Sequence, residues 1–322
     1  VSEYNIGGYI LFGRDFDGKT KDEVVDDIHS YQNEADIPLL IGVDEEGGTV
    51  VRVSSNPNLR ETPFLSPKDT YADGGWDAVK QDAEEKADLL LSLGINVNLA
   101  PVCDMTSDEY GFMYDRSFSS DVDMENRYVR TVVETSKSKK LGTVLKHFPG
   151  YGNNSDTHTG IAYDDRDYSE FENTDFKPFY QGIESGADCI LVSHNIVNCM
   201  DSEYPASLSQ KVHDILRNEF KFDGVIMTDD LIMDAITDFT GDEAAAVTAA
   251  KCGNDLLCCS SVNTQYPAVL EAVQNGEIPE AQVDASVKRI LKWKQNLGIF
   301  SIDTYQKKVK STEPTDTVGS EE

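Results

Sequence analysis

Short apolar runs alternate with longer amphipathic segments along most of the chain. Seven runs have the length of a strand and are apolar throughout, which is typical of parallel strands buried on both faces. These predicted strands cover residues 8–12, 38–44, 96–102, 143–148, 189–194, 224–229 and 256–259. Apolar residues at helical spacing predict helices over 21–35, 76–93, 126–141, 176–186, 210–220, 242–252, 266–275 and 285–297. Several of these helices end at a glycine, the usual C-cap residue: Gly94, Gly142, Gly186, Gly253 and Gly298.

This alternation of strands and helices fits either a doubly wound sheet or a (β/α)8 barrel of the TIM type. Polar residues follow the ends of different strands: Asp44, Asp104, Lys146-His147, Ser193-His194 and Asp229-Asp230. An open sheet would scatter these positions along one edge, whereas a barrel gathers them into a ring, where the active sites of barrel enzymes lie. The sequence therefore favours an α/β fold of the (β/α)8 class.

Such a barrel needs eight strands, and the sequence shows only seven strand patterns. The missing strand belongs at the start of the barrel, because the first strand pattern, at 8–12, comes almost immediately after the first residue. We expect a first strand and its helix to precede Val1, and the alternative is an irregular segment that closes the gap. Residues 1–300 form the predicted barrel domain, and the polar residues 301–322 form a tail.

The charge of the chain limits its partners. There are 28 basic and 58 acidic residues, for a net charge of −30. A nucleic-acid backbone or an anionic membrane surface would repel such a chain, so we expect no nucleic-acid partner. We also expect no membrane-spanning segment, because no apolar run approaches the roughly 18 residues that a spanning helix requires.

Two features bear on the compartment. The chain begins at Val1 without Met or an apolar leader, so either a leader has been removed or the sequence starts inside a longer protein. With the polar ending STEPTDTVGSEE, this favours an extracellular or cell-surface location over a cytoplasmic one. Six cysteines show no regular spacing, and several lie inside apolar runs that predict buried thiols, which favours a reducing compartment instead.

The segment KHFPGYGNNSDTH, residues 146–158, is the densest in reactive side chains. Lys146 and His147 end a strand, and a loop rich in Gly and Asn follows. Asp156 precedes His158 by two residues, and a carboxylate so close to an imidazole raises its basicity and fixes its tautomer. Such a dyad moves protons near neutral pH. The alternative is an Asp that caps its own loop beside a solvent-exposed His.

Three further segments carry candidate chemistry. In GVIMTDDLIM, Asp229 and Asp230 cannot both enter one pocket, so one is expected to face the ring while the other caps the next helix, or both are structural. In IGVDEEGGTVVR, Asp44 and Arg52 form either a clamp for a polar ligand or part of an exposed acidic turn, and the Gly pair is no phosphate loop. In DRSF, Arg116 is either a ligand contact or a surface charge.

Two other chemistries fit the residues less well. A zinc site could be assembled from His147, Asp156 and His158, but the usual spacing of zinc ligands is missing. A serine triad built on Ser193 and His194 is disfavoured, because neighbouring residues on a strand face opposite ways and no GxSxG elbow is present.

Taken together, these segments resemble glycoside hydrolase family 3, and more narrowly its single-barrel β-N-acetylglucosaminidase branch. KHFPGYGNNSDTH is similar to the KHFPGHG…DSH signature, IGVDEEGGTVVR to DQEGGRVxR, and GVIMTDDLIM to GVIxSDDLxM, while DRSF matches a loop motif of the family. The agreement runs from about residue 7 to residue 300, with the motifs in the same order.

The resemblance implies a role for each matching residue. Asp229 occupies the position of the family's nucleophile, and His158 with Asp156 that of the acid/base dyad. The positions that contact the sugar in the family are occupied here by Asp44, Arg52, Arg116, Lys146 and His147, with Met233 beside the sugar. Cys103 and Asp104 are interpreted as structural. No metal or organic cofactor is implied.

Some positions depart from the family pattern. Tyr151 replaces the second His of KHFPGHG, Thr49 replaces the Arg of EGGR, and the loop before Asp156 is about one residue shorter. Many relatives carry a second α/β domain that supplies a Glu as the acid/base. Because this chain stops before such a domain would begin, the proton donor is expected to lie within the barrel, which favours His158.

The implied activity is that of a retaining exo-β-N-acetylhexosaminidase on cell-wall-derived or related GlcNAc glycosides. Two alternatives stay open. One is a phosphorylase, since a histidine repels an anionic acceptor less than a carboxylate does. The other is a non-catalytic glycan-binding barrel, or an inactive fragment that lacks its first strand. The sequence predicts no oligomeric state.

Overall fold

The chain folds around a curled parallel sheet covered by helices. A computed structural model describes residues 3–154 and 160–306. The strands are β1 (Gly8–Leu11), β2 (Leu40–Val43), β3 (Val97–Asn98), β4 (Gly142–Phe148), β5 (Tyr163–Asp164), β6 (Cys189–Val192), β7 (Ile196–Val197), β8 (Val225–Asp230) and β9 (Leu256–Cys258). All except β5 and β7 belong to one parallel sheet in the order of the sequence. The seven predicted strands and the α/β class are therefore confirmed.

The sheet is open on one side in the described part of the chain, because β1 and β9 do not pair with each other. It curls strongly enough that both of these edge strands line one cavity of about 790 Å³. Leu40, Val97, Leu99 and Met227 contribute much of the apolar wall. A closed eight-stranded barrel is thus not observed over residues 3–154 and 160–306.

Helices connect successive strands and cover the outer face of the sheet. They are α1 (Lys21–Asn33), α2 (Pro67–Leu93), α3 (Val122–Lys139), α4 (Tyr168–Asn173), α5 (Phe176–Ser185), α6 (Gln210–Asp214), α7 (Asp234–Thr237), α8 (Asp242–Lys251), α9 (Val262–Gln274) and α10 (Glu280–Asn296). All eight predicted helices are present. The largest shift of a bound is in α2, which begins nine residues before the predicted one and kinks at Gly74-Gly75. In addition, α6 continues as a π-helical turn over Ile215–Glu219.

The helix ends follow local side-chain chemistry. Thr20 and Glu23 form a capping box at the start of α1, and Ser66 accepts a hydrogen bond from Asp69 N at the start of α2. At the end of α2, Gly94 adopts the left-handed conformation as predicted. At the end of α3 the prediction of a Gly142 cap is wrong. Lys140 takes the left-handed conformation there, and Gly142 begins β4.

The core lies on both faces of the sheet, as the continuous apolar runs require. On the outer face, the buried ring of Phe148 in β4 stacks on Phe176 and meets the edges of Phe179 and Phe220. Truncating a fully buried Phe of this kind costs about 3–5 kcal/mol. This packing fixes the end of β4, where the reactive segment begins. Over the described residues, no helix combines the length and the apolar character that a bilayer-spanning segment needs.

Candidate active site

The parallel strands bring several polar side chains to the same edge of the sheet. The residues concerned lie at or just after the carboxyl ends of β2, β4, β6 and β8: Asp44, Lys146, His147, His194, Asp229 and Asp230. Because the carboxyl ends of parallel strands share one edge, residues far apart in the sequence become neighbours. The predicted gathering of these side chains is therefore found.

Lys146 is the centre of a buried ion-pair network. Its ammonium group lies 2.6 Å from Asp44 Oδ1 and 2.6 Å from Glu46 Oε1. Arg116 reaches the same Glu46 carboxylate with two nitrogens, Nε at 2.9 Å and Nη2 at 2.8 Å. Arg116 is consequently not a surface charge, and residues 44–46 are not an exposed acidic turn. The network connects the segments after β2, after β3 and in β4.

Charge balance keeps the members of this network ionised. Burial alone would raise the pKa of Glu46, but Lys146 and Arg116 hold it well below its ordinary value of 4.5. Burial alone would lower the pKa of Lys146, but Asp44 and Glu46 raise it above its ordinary value. Each charge thus depends on its partners, as expected for ions removed from water.

The turn after β2 directs its three consecutive carboxylates in two directions. Asp44 and Glu46 meet Lys146, whereas Glu45 turns back and accepts hydrogen bonds from the backbone N–H groups of Arg52 and Val53, at 2.9 and 2.7 Å. Gly47 has φ +103°, and a Cβ there would lie 2.1 Å from a backbone oxygen. Only glycine therefore fits this turn.

Both ring nitrogens of His147 have protein partners, which define its tautomer. Its Nε2 lies 3.2 Å from Arg116 Nη2, and Arg only donates hydrogen bonds, so Nε2 must accept. The proton is then on Nδ1, which donates to Asp104 Oδ2 at 2.7 Å. Asp104 also accepts from the backbone N–H groups of His147 and Tyr151. It therefore orients both ring and chain at the end of β4.

The two adjacent carboxylates at the end of β8 make different contacts. Asp230 accepts from Ile232 N at 3.2 Å and from the Ser260 hydroxyl, so it holds the turn that follows β8. The prediction that one of the pair caps the following helix is corrected, because α7 starts later and Asp230 bonds the turn before it. Asp229 Oδ1 accepts only from Asp230 N, at 2.9 Å, among the hydrogen bonds of the described residues.

Asp229 is maintained as a carboxylate by its neighbours. Removal from water would by itself raise its pKa, but the imidazoles of His194 and His147, the N–H of Asp230 and the ammonium of Lys146 together lower it. An ionised carboxylate at the mouth of the sheet is a competent nucleophile, general base or cation partner.

Two predicted sugar-binding residues are placed less directly. Arg52 donates its backbone N–H to Glu45, and its side-chain Nε is buried without a hydrogen-bond partner among the residues described. Met233 is 8% exposed and precedes α7 as its N-cap residue. Neither joins the Lys146 network through an ion pair or hydrogen bond in the described residues.

Asp156 and His158 lie outside the described residues. The loop that leads to them is well anchored: Asn154 N donates to Tyr151 O, and Thr106 Oγ1 donates to Asn153 Oδ1 at 2.7 Å. The predicted dyad thus stays a prediction. Within residues 3–154 and 160–306, no cluster of three His, Cys, Asp or Glu side chains is arranged to hold a metal ion.

Three residues of this edge were not assigned a functional role from the sequence. Glu46 is hidden among three acidic residues in a row, and Asp104 was interpreted as structural. His194 was considered only as a member of a serine triad, which the structure does not form: Ser193 donates to Phe148 O, while His194 contacts Ser207. The available signal for His194 was its position at the end of the predicted strand 189–194.

Two beta-hexosaminidases are similar to this chain in sequence over most of its length. A beta-hexosaminidase of Hydrogenovibrio crunogenus is 32% identical over 86% of this chain and 79% of its own length. The beta-hexosaminidase LpqI of Mycobacterium tuberculosis is 31% identical over 90% of this chain and 76% of its own length.

Structural comparison and a family model agree with these relatives. The solved glycoside hydrolase family 3 beta-N-acetylglucosaminidase from Paenibacillus sp. FPU-7 superposes with a TM-score of 0.86 and 29% identity over 92% of this chain, which spans 57% of that protein. The model of the glycosyl hydrolase family 3 N-terminal domain matches residues 1–293. The chain, with its charged ring at the carboxyl edge of a parallel sheet, belongs to glycosyl hydrolase family 3.

Proposed function

We propose that this protein is a retaining exo-β-N-acetylhexosaminidase that releases terminal β-linked GlcNAc. The observation that carries the proposal is an ionised Asp229 at the same sheet edge as the buried Lys146–Asp44–Glu46–Arg116 network. The similar proteins that carry the name beta-hexosaminidase support the choice of sugar. GlcNAc glycosides derived from cell walls are the proposed substrates.

In the proposed reaction, a carboxylate oxygen of Asp229 attacks the anomeric carbon. The bond from that carbon to the aglycone oxygen breaks, its electron pair stays on the oxygen, and protonated His158 delivers the proton. Water then attacks the glycosyl ester and gives its proton to His158, which frees Asp229 and returns a β-configured sugar. Most retaining glycosidases use a second carboxyl group here, so the histidine is an exception.

The lowered pKa of Asp229 supports its part in this scheme, because a nucleophilic carboxylate must be ionised before the sugar arrives. The Asp156–His158 dyad rests on the sequence. Its support from the described residues is the anchoring of the preceding loop, where Asp104 bonds both His147 and Tyr151 N.

Sugar binding is assigned to charged and polar side chains at the same end of the sheet as Asp229. Asp44, Lys146, His147 and Arg116 offer charged or polar groups to sugar hydroxyls, and their mutual contacts fix their positions. Such fixed donors and acceptors hold a ring for in-line attack. Further candidates for contact with the bound sugar are Arg52 and Met233.

We further propose that the curled sheet is the greater part of a (β/α)8 barrel, with one more strand between β1 and β9. Gln265 of α9 supports this, because both its amide atoms are buried without a partner among the described residues and it lines the gap. Residues 1–300 are the proposed catalytic domain. A crystal structure of the protein in its longest natural form tests the barrel, and β1 bonded directly to β9 would contradict it.

The function is tested with a panel of aryl β-glycosides of GlcNAc, GalNAc, glucose and xylose, with the first-formed anomer identified by NMR. The expected result is preferential release of β-GlcNAc. An α-anomer as first product would exclude retention, and turnover of none of the four would exclude the proposed activity. Formation of a sugar 1-phosphate in phosphate buffer would replace the hydrolase with a phosphorylase.

A further inference from the structure

His194 lies beside the proposed nucleophile yet has no role in the scheme above. It follows β6 by two residues and is fully buried. β6 and β8 pair in parallel as far as Val192 and Thr228, and just beyond this pair the ring of His194 reaches the backbone oxygen of Asp230. A polar ring in such a position must satisfy both nitrogens locally.

Both ring nitrogens of His194 have hydrogen-bond partners. Nε2 lies 2.9 Å from the backbone oxygen of Asp230, and a carbonyl only accepts, so Nε2 carries a proton. Nδ1 lies 2.7 Å from Ser207 Oγ. A serine hydroxyl either donates to a neutral ring or accepts from a charged one. His194 therefore keeps both bonds in either charge state.

The Asp230 backbone links this histidine to Asp229. The carbonyl of Asp230 accepts from His194, and the N–H of the same residue donates to Asp229 Oδ1 at 2.9 Å. The Asp230 side chain is held separately by Ser260. Rotation of residue 230 would break the bond to His194 and would also move the N–H group that aims the Asp229 carboxylate.

We propose that His194 is a positioning residue for Asp229: through the Asp230 backbone it sets the direction from which the carboxylate attacks the sugar. This inference rests on the proposed function of Asp229. The nearness of its ring to the carboxylate agrees with the electrostatic effect of His194, ahead of that of His147, which lowers the pKa of Asp229 against the effect of burial.

The test compares His194→Phe with His194→Gln, which retains an N–H group near the position of Nε2. With a 2,4-dinitrophenyl GlcNAc glycoside, departure of the leaving group needs no proton, so the rate of glycosyl-enzyme formation reports attack by Asp229. His194→Phe is expected to lower that rate about 100-fold with KM near wild type, since alignment of the nucleophile is lost. In His194→Gln this rate is expected to be at least about tenfold higher than in His194→Phe.

His213→Phe is the matched control, because His213 is equally buried and its Nδ1 donates to Ser209 O at 2.7 Å within another part of the fold. The Tm of His213→Phe reports what the removal of a buried imidazole does to folding. The rate of glycosyl-enzyme formation in this variant should stay near wild type. If His194→Phe fails to fold, His194→Gln and Ser207→Ala, each expected to slow the same step about tenfold, take its place.

Three results would overturn the inference: a rate for the His194 variants equal to that of His213→Phe, a loss confined to poor leaving groups, or a rise in KM alone. The last two would make His194 a proton-transfer or sugar-binding residue. A wild-type protein that hydrolyses no GlcNAc glycoside would instead overturn the proposed function and this inference with it.

Discussion

Arg116 donates a hydrogen bond from Nη2 to Nε2 of His147, at 3.2 Å, and thereby determines which ring nitrogen carries the proton. A guanidinium cannot accept, so Nε2 accepts this bond and the Nδ1 proton faces Asp104. Because both ring nitrogens have protein partners, His147 is suited to hold Arg116 and Asp104 in position rather than to transfer protons. The proposed acid/base role of His158 is compatible with this division.

Asp104→Asn should weaken catalysis by disturbing His147. An amide presents one N–H face where the carboxylate now accepts from His147 N, His147 Nδ1 and Tyr151 N. The loss of such buried bonds corresponds to about 1–3 kcal/mol, or a decrease of about 5- to 150-fold in kcat/KM for an aryl GlcNAc glycoside. Asp108→Asn, in the same loop, is the control and should stay near wild type.

Glu46→Gln should destabilise the protein, because it leaves Arg116 buried beside a neutral partner and leaves Lys146 with Asp44 as its remaining carboxylate. Breaking a buried ion pair typically costs about 3–5 kcal/mol, which urea unfolding at pH 7 would measure. The exposed Glu61 provides the control substitution, Glu61→Gln. A cost below about 1 kcal/mol, the range of exposed ion pairs, would contradict the central position of Glu46 in the network.

The same carboxylate predicts part of the acid sensitivity of the fold. The pKa of Glu46 is lower in the folded chain than its ordinary value of 4.5, so the unfolded chain binds the proton first. Its stabilising contribution is complete above about pH 4.5 and declines as the pH falls toward the folded pKa. The difference in unfolding free energy between wild type and Glu46→Gln should therefore shrink below pH 4.5. A difference that is constant or grows there would be the opposite result.

Asp229→Asn should abolish turnover of an aryl GlcNAc glycoside. Removal of a covalent nucleophile lowers kcat by about 10,000-fold or more. The neighbouring carboxylate offers a control. Asp230→Asn disturbs only the turn held by Ser260, so its kcat should fall far less. Mass spectrometry after labelling with a fluorosugar should locate the glycosyl ester on Asp229. A label on any other residue would exclude the assignment.

His158→Ala should chiefly slow substrates with poor leaving groups. General acid catalysis accelerates cleavage of the glycosidic bond about 100- to 10,000-fold when the departing oxygen needs a proton. It has little effect on this rate when the aglycone is 2,4-dinitrophenolate. The comparison uses kcat/KM, which reports the first chemical step. The exposed His29 of α1 supplies the control, His29→Ala. Equal losses for good and poor leaving groups would count against a leaving-group acid.

The strands were the most predictable part of the fold, because runs such as 189–194 are buried on both faces and their apolar character is continuous. The end of α3 was less predictable. Lys140 accepts the left-handed conformation there although Gly142 stands two residues on, since β4 requires that glycine close to Trp293 and Val97. Packing between distant segments decided the position of the cap.

The site was predictable in its strand-end residues and not in the partners that orient them. Nothing in the sequence Asp44-Glu45-Glu46 indicates which carboxylates turn toward Lys146, because their directions depend on the backbone of the glycine turn. His194 likewise contacts Asp230 only because β6 and β8 pair side by side. These two strands are separated by 32 residues of chain. Such information is absent from any local pattern.

The ion pairs of Lys146 and Glu46 have a consequence for how a ligand enters. They cross-link three separate segments of the chain before any sugar is present, so the rotamers of these long side chains are restricted when the chain folds. An incoming pyranose therefore meets a prearranged surface, and its association loses little additional side-chain entropy. Selectivity then comes from a rigid template that a misfitting hydroxyl cannot reshape.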